Sequence, residues 1–303
     1  MYRVRFAALA VAALAISLRA FAAGPLPEGV KVSRDVAYGD DKRQRFDVYA
    51  PEHASGAPII LMVHGGGWSR GDKALGRVVD GKVARWVPRG FVFVSTNYRM
   101  VPEASPVEQA RDVARALAAV QRGAASWGGD RGKVILMGHS AGAHLVALLT
   151  AAPARALELG ALPWLGSVFL DSGALDVPRL MARRHLPLYD HAFGRDPGKW
   201  EEASPYQALG RDGPPMLAVC SATRVDRPCA EAERFVARAE SLGRRSQVLQ
   251  ESFSHGEINA QLGKDPGYTA AVESFLRTLD AAVAKRLAPG AAGLSSHRKD
   301  AGA

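Results

Sequence analysis

Long apolar runs are scarce in this chain. The run at residues 6–18 is too short to span a bilayer comfortably, which argues against a stable membrane anchor. Cysteine is almost absent: Cys220 and Cys229 are the only two. Neither follows the amino-terminal apolar run, so there is no lipoprotein signal. Although the chain carries 39 Lys and Arg against 30 Asp and Glu, for a net charge of +9, no basic run interleaves with aromatics. That argues against a nucleic-acid stripe and leaves a basic surface that concentrates anions. No internal repeat is present. Apolar content of 48% with 23% charged residues excludes wholesale disorder, and 303 residues can bury a full core.

What is present at the amino end reads as an address rather than a structure. Arg3 and Arg5 precede the apolar run, and Ala20-Phe21-Ala22 offers a small-x-small cleavage pattern. Residues 1–23 are therefore expected to be a signal peptide cut near Ala22 or Ala23, delivering the protein to a bacterial periplasm. Residues 24–288 are expected to form the folded domain. Residues 289–303, rich in Ala, Gly, Ser and charge, are expected to be a disordered tail.

Within the domain, residues 30–38 and 44–49 alternate apolar and polar around Gly39-Asp40-Asp41, the pattern of an antiparallel hairpin. Continuous apolar runs follow at residues 59–63, 91–95, 134–137, 168–170 and 214–219, with a last strand at 246–250. Helical spacing occupies residues 106–122, 230–242 and 268–287. Strands alternating with helices predict an α/β fold with one doubly wound, mostly parallel sheet and an antiparallel amino-terminal edge. The irregular stretch of about residues 172–210 follows a strand's carboxyl end and is expected to cap the sheet, with Leu186, Tyr189, Phe193 and Trp200 shaping a pocket.

The most informative stretch is Lys133 to Leu149, where a buried strand turns at Gly138-His139-Ser140-Ala141-Gly142 into a helix of small apolar residues. This is the nucleophile-elbow pattern: a sharp strand-to-helix turn lifts a serine hydroxyl above the sheet. A serine hydroxyl is a weak nucleophile at neutral pH and needs a base, which in turn needs an orienting acid. His255, in the loop after the last strand, is the expected base. His297 lies in the tail, while His185 and His191 precede any plausible acid. Asp226 is the expected acid, as the only carboxylate in the loop after the preceding strand, with Asp176 as fallback. His64-Gly65-Gly66-Gly67-Trp68 ends a buried strand, and its bare glycines let backbone N–H groups approach a substrate. Ala141 N–H, just after the nucleophile, would complete an oxyanion hole. His64 reads as a brace for that loop, and His144 as a packed neighbour. Cys220 ends a strand and Cys229 opens the next helix, so a disulfide between them would clamp the Asp226 loop. No metal or organic cofactor is implied.

With these motifs in hand, the chain resembles the α/β-hydrolase superfamily, in the esterase branch of hormone-sensitive lipase, BD-FAE-type esterases and kynurenine formamidase. The likeness rests on His64-Gly65-Gly66-Gly67-Trp68, Asn97-Tyr98-Arg99, Gly129-Asp130, Gly138 to His144 and Ala203-Ser204-Pro205. It implies Ser140, Asp226 and His255 as a triad, with Gly66, Gly67 and Ala141 as the oxyanion hole. One departure stands out. Such proteins carry His-Gly-x-x-Asp after the acid's strand, whereas this chain has Cys220-Ser221-Ala222-Thr223-Arg224-Val225-Asp226. The expected activity is hydrolysis of small or medium acyl or aryl esters, the partner being a small-molecule ester. An arylformamidase and a non-catalytic binding protein of the same fold are the alternatives, and export argues against the first.

Overall fold

The computed structural model describes residues 25–289. The expected signal peptide and residues 290–303 of the expected tail lie outside the described residues. Eight strands form one sheet in the order β1-β2-β4-β3-β5-β6-β7-β8. β1 (Val30–Ala37) and β2 (Arg45–Pro51) make the antiparallel edge, and β2 also pairs antiparallel with β4 (Val92–Thr96). β3 (Ala57–Val63), β5 (Gly129–His139), β6 (Gly166–Leu170), β7 (Met216–Ser221) and β8 (Ser246–Glu251) run parallel to β4.

The continuous apolar runs have a simple cause: the central strands are covered on both faces. In β3, Ile59, Leu61 and Val63 join one hydrophobic cluster, while Ile60 and Met62 join the other. This is the two-residue period of a strand. The first cluster takes in α2 (Pro106–Gly123) and α3 (Ala141–Ala151), and the second takes in α1 (Gly76–Trp86). After α4 (Ala154–Leu157), the stretch expected as a cap is built of four short helices: α5 (Val177–Met181), α6 (Pro187–Phe193), α7 (Pro197–Glu202) and α8 (Pro205–Ala208). Each has proline in its first turn, where a missing N–H costs nothing.

Three elements differ from their expected form. α9 spans Pro228–Ser241, beginning immediately after the loop that carries Asp226. His255 is not in a plain loop but is the first residue of α10 (His255–Ala260). Ser254 and Glu257 close a capping box there, which fixes the direction in which the chain enters the helix. The closing helix is two, α11 (Pro266–Arg277) and α12 (Ala281–Arg286). The break comes at Asp280, whose carboxylate accepts from Ala282 N–H and so starts a new helix.

Candidate active site

Three strand ends of the sheet meet at Ser140. β5 delivers it in a strained conformation, φ 55° and ψ −118°, between strand and α3. The elbow glycines permit this because nothing larger fits: a Cβ on Gly142 would meet the Val63 carbonyl oxygen at 2.3 Å, and one on Gly138 the Gly142 carbonyl oxygen at 2.3 Å. Ser140 N–H donates to Leu170 O at 2.9 Å, pinning the elbow to the end of β6. The next residue, Asp171, is likewise at positive φ, 56°, and its N–H donates to Val219 O of β7 at 2.8 Å. Two non-glycine residues in this sparsely populated region, side by side, mark a place where surrounding structure holds strain.

His255 joins them. Its Nε2 lies 2.9 Å from Ser140 Oγ and its Nδ1 lies 2.6 Å from Asp171 Oδ2. The Asp171 side chain is wholly buried. Burial alone would raise its pKa; the His255 hydrogen bond, the Arg224 charge and the Ser221 N–H outweigh it, holding the pKa of Asp171 down to about 2. With Nε2 accepting from the serine, the imidazole carries its proton on Nδ1 and donates it to Asp171.

This corrects the expected acid. Asp226 does not face His255: its carboxylate grips the Arg224 guanidinium, from Nε at 2.9 Å and from the second terminal nitrogen, and its side chain is 40% exposed. The physical reason is register. The loop after β7 turns so that Arg224, only 17% exposed, points inward to Asp171 Oδ2 at 2.7 Å. Asp226, two residues on, is left on the outer side. Asp176, the fallback, caps α5 and pairs with Arg234. The missed residues are therefore Asp171 and Arg224. A usable signal for the first was present, since Asp171 immediately follows the apolar run that became β6, at the carboxyl edge where open α/β sheets hold their sites. Cys220 and Cys229 form a disulfide around this loop.

The glycine loop stands opposite. Gly65, Gly66 and Gly67 line the cleft with Ser140 and Ala141. Gly66 has φ 134°, and a Cβ there would meet Arg70 O at 1.8 Å, so the loop's course requires glycine. Ala141, in the first turn of α3, has no intrahelical acceptor for its N–H.

Buried histidines hold this loop. His64 stacks on Tyr98, whose hydroxyl donates to His64 O at 3.0 Å. Trp68 Nε1 donates to His144 Nδ1 at 3.2 Å, and His144 Nε2 donates to Ala203 O at 2.8 Å, tying the loop to the cap. Burial pushes both histidines down to about 4, so they are neutral braces. Beneath His255, His139 Nε2 donates to His255 O at 2.9 Å; burial and then the neighbouring His255 lower His139 to about 3.

The cleft measures about 580 Å³. Of the expected cap residues, Leu186 and Tyr189 line it, joined by Leu188. Phe193 instead packs on Trp68 with ring centroids 4.9 Å apart, and Trp200 donates to Gly194 O. Arg70 and Arg77 stand at its exposed rim. Among the described residues there is no cluster of metal-binding side chains, and no helix is long and apolar enough to cross a membrane.

Comparisons with known proteins point to the same fold and to esterases. The BD-FAE family model matches residues 46–160. Esterase LipC of Mycobacterium tuberculosis is 31% identical over 71% of this chain and 56% of its own length. Isoprenylcysteine alpha-carbonyl methylesterase ICME of Arabidopsis thaliana is 27% identical over 76% of this chain and 58% of its own. The chain thus spans little more than half the length of these curated relatives. A carbohydrate esterase from gut microbiota superposes with a TM-score of 0.70 at 19% identity, covering 83% of this chain and 97% of that one. Fold and sequence likeness alike are those of the α/β-hydrolase esterases.

Proposed function

We propose that the protein is a carboxylic ester hydrolase working through Ser140, His255 and Asp171. The observation that carries this reading is the single imidazole spanning Ser140 Oγ at 2.9 Å and Asp171 Oδ2 at 2.6 Å. Ser140 Oγ attacks the ester carbonyl as His255 Nε2 takes its proton, and Asp171 steadies the imidazolium that forms. The oxyanion is held by the Gly66, Gly67 and Ala141 N–H groups. His255 then gives its proton to the leaving alcohol, and water, activated the same way, releases the acid from Ser140. A cleft of about 580 Å³, walled by Leu75, Val78, Leu186 and Leu188, suits small or medium acyl or aryl esters. The esterase names of the relatives favour the same chemistry. The disulfide fits the export expected from residues 1–23.

A fluorophosphonate probe tests the reading. It is expected to label the wild type at Ser140 and to leave Ser140→Ala unlabelled, with turnover falling by on the order of a million-fold. An unlabelled, inactive wild type would instead indicate a binding protein. Relative rates on acetyl to long-chain aryl esters, acetylated sugars and N-formylkynurenine would fix the substrate class.

A further inference from the structure

We infer that Arg224 is a positioning residue that sets the working pH range of the base, by sharing Asp171 Oδ2 with His255 while placing a fixed positive charge against the imidazole. The inference rests on the serine-hydrolase reading above. Arg224 stands four residues after Cys220, where the resembling proteins carry the acid of their His-Gly-x-x-Asp stretch. The chain thus has a cation where a carboxylate is expected, and the carboxylate sits on the neighbouring strand end.

The geometry defines what the cation does. One terminal nitrogen, Nη1, lies 2.7 Å from Asp171 Oδ2 and 2.9 Å from His255 Nδ1. Nδ1 already carries the proton it donates to Asp171, so Arg224 and the imidazole are two donors converging on one oxygen. The Arg224–His255 approach is therefore not a hydrogen bond but a repulsive contact once the imidazole is charged. The remaining nitrogens are held by both oxygens of Asp226, so the guanidinium cannot swing away. The loop itself is fixed by the Cys220–Cys229 disulfide. Ser221 Oγ and Thr223 Oγ1 also donate to Phe253 O, two residues before His255, at 2.5 and 3.3 Å.

Two consequences oppose each other. Arg224 keeps Asp171 ionised and aimed, which helps orient the imidazole. It also sets a positive charge against the pull that a buried carboxylate exerts on a neighbouring imidazolium, so removing Arg224 favours the protonated imidazole, which cannot accept the serine proton. No other group around His255 supplies that charge in the same way. His139, against its ring, is neutral. Lys82, beneath α10, is bound to Asn259 O at the far end of that helix. Glu257, in the first turn of α10, is engaged by Ser254.

The test is the pH dependence of kcat/KM on a neutral aryl acetate for wild type, Arg224→Gln and Arg224→Lys, with fluorophosphonate labelling run alongside. Arg224→Gln is expected to move the acid limb to higher pH by about one unit, a tenfold change in proton affinity, with kcat on the plateau falling by roughly tenfold. Arg224→Lys, which restores the charge but not the fork, is expected to return the limb towards its wild-type position while kcat recovers only in part. An Arg224→Gln enzyme that still labels at Ser140 but keeps the wild-type limb would overturn the inference and leave the hydrolase reading standing. Failure of the wild type to label would sink that reading instead. A limb moved equally in both variants would also overturn the inference, because loss of shape and not of charge would then be the cause.

Discussion

At Asp171 every acceptor direction that matters is filled: Oδ1 takes Ser221 N–H at 2.9 Å, and Oδ2 takes His255 Nδ1–H at 2.6 Å and Arg224 Nη1–H at 2.7 Å. Asp171→Asn replaces an acceptor by a group that can also donate. The imidazole then loses its preferred tautomer, and kcat is expected to fall by about ten-thousandfold. Asp226→Asn only weakens the hold on Arg224, and its kcat is expected to stay within about tenfold of wild type. Steady-state kinetics on one ester decide between the two; a collapse in Asp226→Asn with Asp171→Asn unaffected would restore the acid expected from sequence. That Ser140 and His255 come together was legible, because each lies in a short local pattern whose chemistry depends on its neighbours in sequence. That Asp171 is the carboxylate beside them was not. Which strand end faces the imidazole depends on β6 and β7 being adjacent in the sheet, a long-range fact, and Asp226 was attractive only as the lone carboxylate of its loop. Positive φ at Asp171 was not marked in the sequence: aspartate is among the residues enriched there, but it occurs far more often at ordinary φ.

The elements that carry these residues are fastened in two ways. The first is the Cys220–Cys229 disulfide, nine residues apart, which spans the end of β7 and the start of α9. Loop-closure entropy for so short a ring gives a stabilisation of roughly 2–3 kcal/mol. Cys220→Ser is expected to lower the urea midpoint accordingly, and to lower kcat more than it raises KM, since a loosened loop misdirects Arg224 without removing the cleft. The second is Lys82 of α1, buried, whose Nζ donates to Asn259 O at the carboxyl end of α10 at 2.7 Å. Burial first, then nearby Lys264, lower it from 10.5 to about 7. The unfolded chain therefore binds this proton more tightly between about pH 7 and 10.5, so stability contributed at this site rises with pH across that window, by at most ~1.4 kcal/mol per unit. Urea denaturation at pH 7 and 9 is expected to show a steeper rise for wild type than for Lys82→Met; parallel slopes would mean that Lys82 is not the titrating group. The elements themselves were mostly legible from their apolar period. The closing helix read as one piece because residues 268–287 keep helical spacing through the break, and only the cap at Asp280 divides it.

Across the whole molecule, the sequence established that parallel strands and helices alternate, but not the order β1-β2-β4-β3-β5-β6-β7-β8, because apolar runs reveal that a strand is buried and not beside which partner. Net charge is different: it is additive and can be read before any folding. The chain carries +9, and the fold brings Arg70 and Arg77 to the exposed rim of the cleft, with Asp171 its only lining carboxylate. Asp171 is buried and already bound to Arg224, so it does not offset the rim. Field lines from a basic surface converge on such a mouth and raise the local concentration of anions. Esters bearing a carboxylate are therefore expected to react with kcat/KM that falls several-fold as ionic strength rises from about 10 to 200 mM, because the Debye length shrinks from about 30 Å towards 8 Å or less. A neutral ester of the same acyl group shares the chemistry but not the attraction, and its kcat/KM is expected to stay level. Arg70→Gln combined with Arg77→Gln should flatten the salt dependence of the anionic ester while leaving kcat on the neutral one near wild type. If the two esters respond alike to salt, the rim does not steer substrates and the basic surface serves something other than catalysis.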